Sequence, residues 1–279
     1  MIGVGVIGFD RPHYLRRTLA GLAQQQGAEF ECVLFLDGAV NEFSGRVAGS
    51  EDLLKHSWAM FQKMKLPGNG IGYRRGHNLG IGLHQYQATK WMVGRYDRIV
   101  MIEDDVVLSP HWLRLVGVLF DQFSDHGDIF GFSPGFKKLG GDLGALRYIN
   151  EHWWCEAFTA RTWWKMHPYY ATYIDLIEGV DYRDRDHAAI RKLWHRWNWT
   201  HPATSQDAAK DGAIRQAGMR RLVCEVNRAI GIGRYGQHFY PDLFAHKGYE
   251  QQAPFTFDED RTRMQFDEPI STGASTTQG

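Results

Sequence analysis

The chain has 279 residues, enough to bury a sizeable core as one large domain or two intimately packed halves. Lys plus Arg and Asp plus Glu each number 32, so no global field advertises a polyanionic partner. Hydrophobic residues at 43% and charged residues at 23% exclude a disordered chain, and the 14% aromatic share includes ten Trp that suit either a core or flat ligands.

In chain order, residues 3–8 read as a buried strand of Gly, Val and Ile. Asp10 suits a helix cap and Pro12 a first helical turn, after which Leu15, Leu19 and Leu22 recur at helical spacing. A second buried strand spans 30–36 and ends at Asp37-Gly38. A helix over 52–63, a short strand over 71–74 and a helix over 79–93 follow. A third strong strand, 98–102, runs into Glu103-Asp104-Asp105. Ser109-Pro110 opens a helix with Leu113, Val116, Phe120 and Phe123 on its inner face, and 128–133 is a strand. The second half is less regular. Residues 153–165 are crowded with Trp, 182–200 interleave basic and aromatic residues, 207–218 read as a helix and 221–226 as a strand. Residues 231–238 are a glycine-rich loop, and a loose polar tail starts near 265.

The three cysteines, Cys32, Cys155 and Cys224, are far apart and in no CxxC spacing. Neither a disulfide framework nor a zinc site is expected, and a reducing, cytoplasmic setting fits. No apolar run approaches the roughly 20 residues of a membrane span, and the opening residues lack the basic region of a signal peptide.

Strands alternating with helices predict an α/β fold with a mostly parallel sheet, which binds ligands at the carboxyl ends of its strands. Three polar clusters fall there: Asp10-Arg11, Asp37-Gly38 and Glu103-Asp104-Asp105. Side-chain alternation along an extended strand puts Glu103 and Asp105 on one face and Asp104 on the other. Two converging carboxylates form a hard oxygen site for Mn²⁺ or Mg²⁺, whereas an isolated acidic triplet is equally a solvated turn.

These segments resemble the GT-A glycosyltransferases, above all the N-acetylglucosaminyltransferase I type. The likeness lies in residues 4–12 (Val-Gly-Val-Ile-Gly-Phe-Asp-Arg-Pro), 33–38 (Val-Leu-Phe-Leu-Asp-Gly) and 99–110, which carry Glu103-Asp104-Asp105 and the following Pro110. It implies a Rossmann-like GT-A sheet flanked by helices and a donor that is a nucleotide-sugar, expected to be a UDP-sugar. It implies that Asp105 ligates the metal with Glu103 in support, and that Phe9, Asp10, Arg11, Asp37, Glu103 and Asp104 line the nucleotide-sugar site. Ser205-Gln206-Asp207, with Arg215 and Gly218 behind it, resembles the segment carrying the general base of inverting members. Asp207 fits that role, Asp211 is the alternative one turn on, and Gln206 stands where many members have a second acid. Asp207 is equally read as a helix cap. The loop after Gly231 resembles the family's glycine-rich C-terminal loop, offering Arg234 to a phosphate and His238 to a phosphate or the metal. Asn78 opens a helix near the nucleotide, as a cap or as a ligand-facing group.

The chain then divides into a nucleotide-sugar-binding half (1–135), an acceptor-binding and catalytic-base half (136–250) and a C-terminal extension (251–279). Candidate acceptor contacts are Trp153, Trp154, Glu156, Arg191, Lys192, Trp194 and Arg196. Residues 182–199 can stack on a glycan, or track a phosphate backbone and stack on bases. Equally, they form an amphipathic helix with Ile190, Leu193, Trp194 and Trp197 inward. The acceptor is therefore a glycan or small glycoside, or a hydroxymethylated base in DNA, which must be flipped out to react. Two further readings are a non-catalytic glycan- or nucleic-acid-binding module and a nucleotidyltransferase. The latter is disfavoured because no Gly-rich basic loop follows the first strand.

Overall fold

The computed structural model describes residues 1–68, 70–135, 146–149, 154–236 and 240–246. Trp153, His238 and the extension 251–279 lie outside them. An eight-stranded sheet runs in the order β3 (Ile71–Arg74), β2 (Phe30–Leu36), β1 (Ile2–Gly8), β4 (Arg98–Glu103), β8 (Cys155–Thr159), β6 (Ile129–Ser133), β9 (Arg220–Cys224) and β7 (Leu146–Ile149). Only β8 and β7 run against the others, so the sheet is mostly parallel, as expected.

Strand periodicity sorts the two faces. In β1, Val4 and Val6 join α1 (Pro12–Ala23), α2 (Glu51–Lys63) and α4 (Trp112–Gln122) on one side. Ile7 joins α3 (Gly80–Val93), α5 (Ala160–Ile174), α6 (His187–Arg196) and α7 (Gln206–Gln216) on the other. Leu15, Leu19 and Leu22 are fully buried, as their spacing predicts. In α6, Ile190, Leu193, Trp194 and Trp197 point inward while Arg191, Lys192 and Arg196 are exposed. Of the readings of that segment, Trp194 follows the amphipathic one: its ring is core and its Nε1 donates to the Ala203 carbonyl at 3.1 Å.

Several local expectations change. Arg11, not Asp10, occupies the cap position of α1, because the Asp10 carboxylate is taken by the Ser50 amide at 3.0 Å. Ser205 caps α7 through Oγ to the Ala208 amide, which leaves Asp207 in the first turn rather than at the cap. The Trp-rich stretch is the reversed strand β8 followed by α5, the latter opened by a Thr159/Thr162 capping box. A two-stranded antiparallel ribbon pairs β5 (Val106–Leu108) with β10 (Ala229–Gly231), so the glycine-rich stretch begins as strand.

Glu156 is 1% exposed and accepts from Arg221 Nε and from Lys210 Nζ at 3.3 Å, while Arg221 also pairs with Asp211. It is a core ion-network residue and meets no surface. Arg221 and Lys210 hold the Glu156 carboxyl below its ordinary value against the opposing effect of burial. Among the described residues, no helix is long and apolar enough to cross a membrane.

One contact fixes the loop beside the sheet edge. A Cβ on Gly38 would lie 2.6 Å from the Asn78 nitrogen, inside the peptide that opens α3. Gly38→Ala is expected to destabilise the chain by about 1–3 kcal/mol, an overpacking cost that a urea midpoint measures directly.

Candidate active site

Register sets the geometry. Ile7 pairs with Glu103 and Gly8 with Leu36, so β1, β2 and β4 end level at one edge of the sheet. The residues that follow, Phe9 to Arg11, Asp37-Gly38 and Asp104-Asp105, share that edge.

Asp37 is buried and saturated by donors. Its carboxylate accepts from the amides of Gly38 (3.0 Å), Leu79 (3.0 and 3.2 Å) and Gly80 (3.1 Å), and from Asn78 Nδ2 (3.0 Å). The anion at the N-terminus of α3 is thus Asp37 itself. Asn78 Oδ1 also accepts from the Gly80 amide at 3.0 Å, one position before the Leu79 cap of α3. His84 and Arg75 lie behind Asp37. His84 Nε2 donates to the Phe35 carbonyl at 3.2 Å, which leaves Nδ1 to accept from Arg75 Nε at 3.1 Å. Burial keeps His84 below its ordinary pKa and therefore neutral. Sequence reading missed both residues, although Arg75 follows β3 as the other clusters follow their strands.

The acidic end differs. β4 stops at Glu103, and Asp104-Asp105 form the turn into β5, so strict side-chain alternation does not extend past Glu103. Because the chain turns there, one guanidinium meets both acids. Arg11 pairs with Asp104 and, from Nη1, with Asp105 Oδ2 at 2.8 Å. Asp104 is 1% exposed and also accepts from the Phe9 amide at 3.1 Å, while its carbonyl accepts from Thr18 Oγ1 at 2.8 Å. Burial pushes the Asp104 carboxyl up to about 6 despite Arg11. Burial, then Asp105 and Asp207, push Glu103 well above the ordinary carboxyl range. Burial disfavours the Arg11 charge, but Asp104, Asp105 and Glu103 outweigh it and hold the guanidinium above its usual value.

Asp207 therefore comes within electrostatic range of Glu103, although its helix belongs to the second half of the chain. Asp211 points deeper, to Arg221, and burial raises its carboxyl to about 7. The glycine-rich loop covers the acidic end. The Ile232 amide donates to the Asp105 carbonyl at 2.7 Å, and a side chain at Gly233 would strike the Asp105 carboxylate. The Tyr235 amide donates to Tyr14 Oη at 2.8 Å, and Arg234 is exposed beside them. Trp154 is half-buried against the core, and its carbonyl accepts from the Glu103 amide at 3.1 Å. Arg191, Lys192 and Arg196 form the outer face of α6. Among the described residues, no three His, Cys, Asp or Glu side chains converge as a ready metal cage.

This architecture is known from solved structures. S. aureus TarS 1–349 in complex with UDP-GlcNAc superposes with a TM-score of 0.50 at 14% identity, over 85% of this chain and 60% of that one. The fold is that of the GT-A glycosyltransferases. A galactosyltransferase, LgtC, in complex with donor and acceptor sugar analogues matches over 97% of this chain and 85% of its own, with a TM-score of 0.42 at 14% identity. This chain spans about three fifths of the TarS structure. No protein-family model and no curated protein matches the sequence.

The crowded acids carry a stability consequence. Glu103 and Asp104 have folded pKa values above their unfolded ones, so between the two values the folded chain holds more protons. Their contribution to stability is then greatest in acid and falls as pH rises toward and past about 6. Glu103→Gln removes one of these charges. It is expected to raise Tm at pH 8 by about 2–4 °C for each ~1 kcal/mol relieved, with a smaller gain at pH 5, in scanning calorimetry of the ligand-free protein.

Proposed function

We propose that the protein is a metal-dependent, inverting glycosyltransferase that moves a sugar from a UDP-sugar to a hydroxyl of a glycan or small glycoside. The observation that carries this reading is the carboxyl edge of a GT-A sheet at which Arg11 meets Asp104 and Asp105, with the Asp207 charge acting on Glu103 beside them. Residues 1–135 would bind the donor, with Phe9, Asp10, Asp37 and Asn78 shaping the nucleoside end. Residues 136–250 would bring the acceptor and the base.

Charge supports a cation at the acidic end. Glu103, Asp104 and Asp105 act together on the Arg11 guanidinium, and burial, then Asp105 and Asp207, raise the Glu103 carboxyl. A hard ion held by one or two carboxylates completes its shell with donor phosphates, so Glu103 and Asp105 fit Mn²⁺ or Mg²⁺ without a preformed cage. When bound, such an ion neutralises the charge that develops on the leaving diphosphate. Arg11, between Asp104 and Asp105, supplies a further positive group at that end, and Arg234 stands on the covering loop. Asp207 takes the acceptor proton as the acceptor oxygen attacks the anomeric carbon, and the bonding pair of the breaking C–O bond leaves with the diphosphate. Cys32, Cys155 and Cys224 are buried free thiols, which suits a cytoplasmic setting.

One observation favours a second acceptor, a hydroxymethylated base in DNA. The outer face of α6 exposes Arg191, Lys192 and Arg196 together with His195. Such a face can track phosphates, and the flipped base would then enter the cleft.

UDP release from a panel of UDP-sugars tests the main reading. Turnover with Mn²⁺ is expected to vanish with EDTA and in Asp105→Ala, and to fall about 10²–10⁴-fold in Asp207→Asn. No release and no nucleotide-sugar binding would sink it. For the second acceptor, duplex binding at low salt should weaken in the triple variant Arg191→Ala, Lys192→Ala, Arg196→Ala, with a shallower salt slope. Absence of binding at low salt removes that acceptor.

A further inference from the structure

Gln206 and Tyr182 form a hydrogen-bonded pair beside Asp207, and the Tyr173 side chain also bonds Tyr182. The Tyr182 hydroxyl accepts the Gln206 backbone amide at 3.1 Å. Its single proton goes to Gln206 Oε1. That pairing settles which way the side-chain amide faces, because the oxygen is held by Tyr182 and the nitrogen must turn away from it. Gln206 Nε2 accordingly donates to Asp207 Oδ1 at 3.2 Å. Gln206 is buried, so no water-facing rotamer competes.

Tyr182 is itself held from the donor half of the chain. Tyr182 packs on the first turn of α3, where a Cβ on Gly80 would come within 2.7 Å of the Tyr182 Cβ and one on Gly82 within 2.9 Å of its ring. The Arg185 guanidinium stacks 4.2 Å from the ring centroid and donates to the Tyr182 carbonyl at 2.6 Å. The helix start that Asp37 caps is thus linked through Tyr182 to the helix start that carries Asp207.

We propose that Gln206 is a positioning residue for the Asp207 carboxylate and that Tyr182 fixes the amide orientation in which Gln206 does so. This rests on Asp207 being the general base. A donor on Oδ1 stops the carboxylate rotating. A neutral amide at 206 also adds no charge to a site where Asp207 already faces Glu103 from β4 and Asp211 from its own helix, with the Tyr170 and Tyr182 hydroxyls from α5 and the segment before α6. An acid at 206 would replace the donor with a like charge.

The test compares kcat for UDP release with Kd for UDP and with Tm, using UDP-GlcNAc, UDP-glucose and UDP-galactose. Gln206→Glu is expected to lower kcat about 10–100-fold with UDP affinity near wild type, its added buried charge also lowering Tm, and Tyr182→Phe, which keeps the ring packing, to lower kcat about 3–10-fold with UDP affinity and Tm near wild type. The double variant should be no slower than Gln206→Glu alone, because Tyr182 acts through the residue already changed. Unchanged kcat in both single variants while Asp207→Asn is inactive would overturn the positioning role and leave the base standing. Wild-type turnover in Asp207→Asn, or no turnover of any donor by the wild type, removes both. A kcat loss matched by weaker UDP binding and lower Tm, or additive losses in the double variant, would mark the pair as merely structural and overturn the proposal.

Discussion

The Arg11 guanidinium pairs with both acids of the turn that ends β4, and the geometry of the sheet edge depends on it. It leaves β1 just before Pro12 starts α1, and it meets Asp104 and Asp105 across the adjacent strand. Burying Asp104 without that partner would leave an uncompensated charge, which is among the costliest defects a core can hold. Even with Arg11 in place, burial keeps the carboxyls of Glu103 and Asp104 raised.

The Asp37 end of the edge is the electrostatic opposite. Asp37 collects donors from Gly38, Asn78, Leu79 and Gly80 and from the N-terminus of α3. His84 stays neutral beside it, tied to Phe35 and Arg75. The contrast divides the edge into a shelf where donors crowd one carboxylate and an end where carboxylates crowd one guanidinium.

The sequence made the shelf's strands legible because β1, β2 and β4 are buried on both faces and read as continuous apolar runs bounded by polar clusters. Arg11 as a residue was legible too, but its pairing with acids some ninety positions away was not, since periodicity carries no tertiary information. Asp104 and Asp105 were assigned opposite faces because strand alternation was extended past the point where the chain turns. The second half was harder. In β8 and α5 the same Trp-rich composition serves strand and helix, and the three-residue strands β5 and β10 are too short for a period to register. Glu156 read as a surface group, and Trp194 as either an acceptor contact or a core ring, because residue type does not reveal burial when the partner, Arg221 or the α5 face, is remote in sequence.

Glu156 also explains how a helix from the second half can present Asp207 at all. Asp207, Lys210 and Asp211 share one face of α7 at i, i+3 and i+4 spacing. Lys210 reaches Glu156 on β8, and Asp211 reaches Arg221 on β9, so two adjacent positions of that face are pinned to two strands of the sheet. The buried Ala208, Ala209, Ala213 and Ile214 pack the same helix against the core, so ion pairs and apolar packing together hold α7 in place. The same pairing separates the two candidate bases: Asp211 is committed to Arg221 inside the core, while Asp207 sits at the end of the helix that faces Glu103.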